Sequence, residues 1–77
     1  MKFKRLKFKE VVLIEPLSYK DKRGYFSETY RKDKLDEFLG KKINFCQENK
    51  SLSNKNVFRG LHYQIPPFAQ SKLVTVL

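Results

Sequence analysis

The sequence predicts a mainly β protein of the sandwich, barrel or jelly-roll kind, carrying one short helix. Three observations lead there. Short runs rich in Val, Ile, Phe, Tyr and Thr recur at short intervals, divided by turn-forming residues. Only residues 33–39 switch to a helical period. No internal repeat or low-complexity linker divides the chain, and 77 residues make at most one small domain.

The elements follow in order. Residues 1–14 hold one or two strands. Phe3, Leu6 and Phe8 are interleaved with cations, and Val11, Val12, Leu13 and Ile14 follow. Glu15-Pro16 ends that run. Asp21-Lys22-Arg23-Gly24 is a turn, with Gly24 free to take a positive φ. Tyr25, Phe26, Thr29 and Tyr30 mark the next strand. Leu35, Phe38 and Leu39 fall at i, i+3 and i+4 and so form one apolar helical stripe. Asp33 is placed to cap that helix and Gly40 to end it. Residues 43–48 read as a strand and residues 50–56 as a polar loop. Residues 57–63 and 72–77 read as strands around a Pro66-Pro67 corner, since prolines suit a sheet rim. An apolar strand at residues 72–77 leaves an edge to be paired. The expectation is that further sequence pairs it, with a second chain as the alternative.

Composition bounds the function. The chain has 17 Lys+Arg against 8 Asp+Glu, a formal net charge of +9. That balance favours anionic partners such as nucleic acid, a membrane surface or a phosphorylated metabolite, although solvated surface lysines explain it equally well. Cys46 is the single cysteine, so no internal disulfide and no cysteine-based zinc site is available. One histidine and scattered carboxylates are poor material for any metal. The basic N-terminus lacks the roughly 7–15-residue apolar core of a signal peptide. No run approaches the roughly 18–20 apolar residues of a membrane span. A soluble, cytoplasmic protein is expected.

Residues 57–77, VFRGLHYQIPPFAQSKLVTVL, hold most of the candidate chemistry. His62 is the only histidine, and an imidazole side chain suits a general base. A structural histidine bonded to backbone is the alternative. Lys72 can set a cation beside an oxygen where negative charge develops, or simply sit in water. Arg59 and His62 fall on opposite faces of a regular strand, and a bulge at Gly60 would bring them together. Arg23 suits bidentate phosphate contacts, or is a turn arginine in water. Glu28 lies close behind it, beyond Gly24-Tyr25-Phe26. Gln47 and Asn49 alternate and so share a face, where paired amides can read a nucleobase or merely stay polar. Phe26, Tyr30, Phe45, Phe58 and Tyr63 read mainly as core.

Three blocks of this sequence closely resemble the N-terminal part of the dTDP-4-dehydrorhamnose 3,5-epimerase family. They are Asp21-Lys22-Arg23-Gly24-Tyr25-Phe26-Ser27-Glu28, then Gln47-Glu48-Asn49-Lys50-Ser51, then Phe58-Arg59-Gly60-Leu61-His62-Tyr63-Gln64 with Pro66-Pro67, Ala69-Gln70 and Lys72-Leu73-Val74. The blocks keep the family's order, and the third is the most specific. The resemblance implies a cupin-type jelly roll (a double-stranded β-helix), of which residues 1–77 are the N-terminal portion and the C-terminal half is absent. It implies His62 as the base that takes a proton next to a 4-keto group, and Lys72 as the cation near the enolate oxygen. It implies Arg59, Arg23, Glu28, Gln47 and Asn49 as substrate-binding residues, with Arg23 and Glu28 lent across a dimer interface. It implies epimerisation at C3 and C5 of dTDP-4-dehydro-6-deoxy-D-glucose without metal or organic cofactor, in dTDP-rhamnose biosynthesis for surface polysaccharide. A homodimer exchanging N-terminal strands is implied, with no nucleic-acid or membrane partner. The family's carboxylate partner for the base and its proton-returning tyrosine have no counterpart here. The isolated 77 residues are therefore expected to be inactive. Related 3-epimerases and ketoisomerases share these blocks. Two readings outside the family remain: a basic nucleic-acid-binding module, and a non-catalytic β piece that self-associates through strand edges.

Overall fold

The computed structural model describes residues 1–77 and divides them into two units, Met1–Ile43 and Asn44–Leu77. The first unit holds all the regular structure: four antiparallel strands and one helix. The mainly β expectation stands at that level.

Strands β1 (Lys2–Arg5) and β2 (Val12–Glu15) pair antiparallel, with Phe3 opposite Ile14 and Arg5 opposite Val12. Side chains alternate in a strand, so Phe3, Val12 and Ile14 share one face, and all three are half-buried. Lys2, Lys4, Leu13 and Glu15 take the exposed face. The connecting loop is closed by Leu6 N–H donating to the Val11 carbonyl (3.0 Å) and by Arg5 Nη1 donating to the Lys9 carbonyl (2.6 Å). Glu15-Pro16 ends β2, as expected.

Strands β3 (Ser18–Asp21) and β4 (Gly24–Ser27) form a second, separate hairpin. Asp21 pairs with Gly24 and encloses Lys22 and Arg23 as a two-residue loop. The positive φ falls on Gly24, at +130°, where a side chain would be disfavoured. Sequence reading does not resolve β3, because Ser18-Tyr19-Lys20-Asp21 is short and polar. The strand ends at Ser27, so Thr29 and Tyr30 lie outside it. There Ser27 Oγ donates to the Leu17 carbonyl across the mouth of the hairpin (2.9 Å).

Helix α1 (Lys32–Leu39) presents the apolar stripe predicted for it. Leu35 is the single buried hydrophobic, 5% exposed, with Phe38 and Leu39 half-buried beside it on the stripe. The Phe38 ring stacks on Phe3 of β1 at 5.2 Å, and the Arg5 guanidinium lies over the same ring at 5.1 Å. Stacking and the cation over the ring each add to what burial alone supplies. Asp33 does not cap the helix. Arg31 is the N-cap, with no side-chain hydrogen bond to the free amides. Asp33 stands in the first turn, where its charge suits the helix dipole and its carboxylate takes Arg31 Nη2 at 2.6 Å. Gly40 does end the helix, at φ +70°, with its N–H bonded to the Asp36 carbonyl at 2.9 Å. The chain beyond is held by Asp36, whose carboxylate accepts from Lys32 Nζ (2.5 Å) and from the Ile43 N–H (3.0 Å).

In Asn44–Leu77 the expected strands are not formed. Residues 43–48, 57–63 and 72–77 carry no ladder, and every side chain from Asn44 onward is exposed. A strand needs a paired neighbour for its N–H and C=O groups, and none is present beside these runs. The predicted loop is found, with a turn closed by Val57 N–H to the Asn54 carbonyl (3.2 Å). The corner is also found, closed by Phe68 N–H to the Ile65 carbonyl (2.8 Å). No jelly roll is assembled from these residues. No helix is long and apolar enough to cross a membrane.

Candidate functional site

The seven residues singled out in the sequence divide between the units. Arg23 and Glu28 lie in Met1–Ile43, and Gln47, Asn49, Arg59, His62 and Lys72 lie in Asn44–Leu77.

The corner at Pro66-Pro67 turns the chain back, and this brings Lys72 to the hollow that holds His62. The hollow measures about 410 Å³ and is lined by His62, Tyr63, Gln64, Ala69, Gln70 and Lys72. An imidazole and an ammonium on one hollow can divide a proton transfer between them. The imidazole accepts the proton, and the ammonium stabilises the charge left on the ligand. Both side chains are exposed, so water damps the field of the cation here.

Arg59 is not part of that lining. Its Nη2 donates to the Leu52 carbonyl at 3.0 Å and ties down the loop before it. The alternation that would set Arg59 and His62 on opposite faces does not apply, because residues 57–63 form no strand. Nor is there a bulge at Gly60. Instead the Phe58 ring folds against that glycine, and a Cβ added there would stand 3.0 Å from the ring edge. Gln47 and Asn49 do share a side: Gln47 Nε2 reaches Asn49 Oδ1 in a long hydrogen bond of 3.4 Å.

In the first unit a second hollow, about 300 Å³, is lined by Asp21, Arg23, Tyr25 and Phe26. Sequence reading takes Asp21 only as a turn residue, and the structure gives it a second part as the partner of Arg23. Its Oδ1 accepts the Arg23 backbone N–H at 2.8 Å, and its Oδ2 accepts Arg23 Nη2 at 2.6 Å and Nε at 3.2 Å. The Asp-Lys-Arg spacing held the signal, since an Asp at the head of a turn bonds the backbone two residues on. The Arg23 guanidinium, and after it the Arg23 N–H, hold the Asp21 carboxyl below its usual range. Asp21 in turn raises Arg23. Glu28 lies 3.5 Å from Arg31 Nε, sharing that arginine with Asp33. Arg31 is raised chiefly by its hydrogen bond to Asp33, then by the charges of Asp33 and Glu28.

No three His, Cys, Asp or Glu side chains converge as a metal cage, and Cys46 is free and exposed.

Comparison with known proteins gives these features a context. The family model described as dTDP-4-dehydrorhamnose 3,5-epimerase matches residues 5–77. The dTDP-4-dehydrorhamnose 3,5-epimerase of Shigella flexneri is 46% identical over 65 residues, 84% of this chain. That of Pseudomonas aeruginosa is 46% identical over 74 residues, 96% of this chain. The dTDP-4-dehydrorhamnose 3-epimerase of Streptomyces niveus is 35% identical over 97% of this chain. The chain spans 36%, 40% and 36% of the lengths of these three relatives. No solved structure matches. A family match running from residue 5 to residue 77, with relatives this similar, leaves one assignment: the chain belongs to the dTDP-4-dehydrorhamnose 3,5-epimerase family.

Proposed function

We propose that these residues form the N-terminal portion of a single cupin-like domain that epimerises C3 and C5 of dTDP-4-dehydro-6-deoxy-D-glucose. The observation that carries this reading is the pairing of His62 with Lys72 on one hollow in a chain of this family. His62 takes the proton from a carbon next to the 4-keto group. The electron pair left behind delocalises onto the keto oxygen, and Lys72 stabilises the enolate charge there. Reprotonation from the other face inverts the carbon, and it needs an acid that none of these residues supplies in a matching position. The whole protein, with the jelly roll completed, is therefore the active species, and the 77 residues alone are not. Arg59, Gln47 and Asn49 bind the substrate from Asn44–Leu77. Arg23 and Glu28 bind its nucleotide end, across a homodimer that exchanges N-terminal strands. A doubly charged pyrophosphate suits the +9 balance of the chain. The working place is the cytoplasm, in dTDP-rhamnose synthesis for lipopolysaccharide O-antigen, and no cofactor takes part.

Solvent deuterium exchange, followed by proton NMR on dTDP-4-dehydro-6-deoxy-D-glucose, tests this. The whole protein incorporates deuterium at both carbons flanking the ketone, and His62→Ala slows it by about 100-fold or more. Exchange at an undiminished rate in His62→Ala overturns the role of the base. The relative named as a 3-epimerase supports a second reading, in which only one carbon inverts. Deuterium confined to C3 would select it.

A further inference from the structure

We infer that Asp21 is a positioning residue for ligand binding: it holds the Nε–Nη2 edge of the Arg23 guanidinium so that the Nη1–Nη2 end faces the oxygens of an incoming phosphate. The inference rests on the proposed role of Arg23 at the nucleotide end of the substrate.

A guanidinium carries five N–H donors in a rigid plane. Asp21 Oδ2 takes Nε and one hydrogen of Nη2, which together make one edge. The remaining three hydrogens, two on Nη1 and one on Nη2, are untouched by Asp21. They form the end of the fork, the edge that grips two phosphate oxygens in parallel. The Arg23 side chain is 88% exposed, so that edge is open to a ligand. Asp21 Oδ1 also takes the Arg23 backbone N–H, so the same carboxylate fixes both the root and the tip of the side chain. Tyr25 and Phe26 flank it on the same hollow.

An arginine free in water must give up several rotatable bonds to clamp a phosphate, and that loss weakens binding. A side chain already held in its fork geometry gives up less. The lowered carboxyl of Asp21 keeps the holding charge present throughout the neutral range. The cost is a negative charge close to an anion site. The two effects oppose each other, and this makes the test decisive.

The test is equilibrium titration of the whole protein with dTDP at fixed ionic strength, comparing wild type, Asp21→Asn, Arg23→Ala and the double variant. The Asp21→Asn side chain keeps an oxygen for the Arg23 N–H, so the turn persists, but its amide cannot hold the guanidinium. Positioning predicts that Asp21→Asn weakens dTDP about 5-fold, within the range of rotamer entropy for one long side chain. It also predicts that the weakening vanishes in the Arg23→Ala background. Charge alone predicts the opposite sign, with tighter binding in Asp21→Asn. Unchanged or tighter binding there, with Arg23→Ala still weakened, overturns the inference and leaves the nucleotide role of Arg23 standing. An additive double variant overturns it too. Unchanged binding in Arg23→Ala removes both the inference and the proposed role of Arg23.

Discussion

Replacing Leu35 with alanine removes the one buried hydrophobic side chain. The magnitude follows from the structure. Three carbons are lost, at about 0.8 kcal/mol each, giving roughly 2.4 kcal/mol of transfer free energy. In a sealed core a cavity penalty adds to this. Here Phe3, Val12, Ile14, Phe38, Leu39 and Ile43 are all half-open to solvent, so the vacated space fills with water or collapses. The total therefore stays near the transfer value, about 2.5 kcal/mol. Leu39 is half-buried on the same stripe, and Leu39→Ala loses about half as much. The chain has no tryptophan, so urea unfolding is best followed by far-ultraviolet circular dichroism. With a slope of about 1 kcal/mol/M for a chain this small, the Leu35→Ala midpoint falls by about 2.5 M. A loss below about 0.5 kcal/mol, the level of ordinary surface substitutions, would refute the claim that α1 is docked through Leu35. So would a Leu35→Ala loss no larger than that of Leu39→Ala.

Other substitutions probe separate parts of the molecule. Gly40→Ala should cost about 1 kcal/mol from the φ of +70° alone, because no atom lies within 4 Å of the added Cβ; Gly40→Asn should cost less, and equal costs in urea melts would count against the backbone explanation. The Asp36 carboxyl is held below its ordinary 3.8, first by Lys32 and then by the Ile43 N–H. Its folded-state pKa is depressed, so the stability it contributes is present above about pH 4 and fades as pH falls through the lowered value. Asp36→Asn should therefore destabilise at pH 7 and lose its disadvantage near pH 2, and a gap between the two melting curves that is independent of pH would contradict the pairing. His62→Ala in the whole protein should slow deuterium exchange about 100- to 10,000-fold, as expected for loss of a general base. Lys72→Met should slow turnover more than it weakens substrate binding, and the reverse pattern in steady-state kinetics would recast Lys72 as a binding residue only.

The sequence made the local devices legible and left the long-range pairings open. Gly40 and Gly24 were readable because a positive φ has few tenants. The stripe of Leu35, Phe38 and Leu39 was readable because a helix satisfies its own backbone, and period alone exposes its buried face. Strands depend on partners. Phe3 and Ile14 found each other across a short loop, so β1 and β2 formed where the pattern put them. Residues 57–63 and 72–77 have equally good patterns and no paired neighbour, so the same kind of reading failed there. The N-cap was misassigned because Asp33 serves the helix dipole as well at the second helical position as at the cap, and sequence cannot distinguish the two. At the site, the Pro66-Pro67 corner was legible and brought His62 and Lys72 to one hollow. The hold of Asp21 on Arg23 was hidden, because turn propensity already explained that aspartate.

The packing within Met1–Ile43 is concentrated in very few side chains: Leu35 alone is buried, and the Phe3–Phe38 stack joins β1 to α1. Marginal stability limits how many trial mutations a protein survives. Within these 43 residues that tolerance turns on a handful of apolar positions, while substitutions at exposed positions usually change stability by less than about 0.5 kcal/mol.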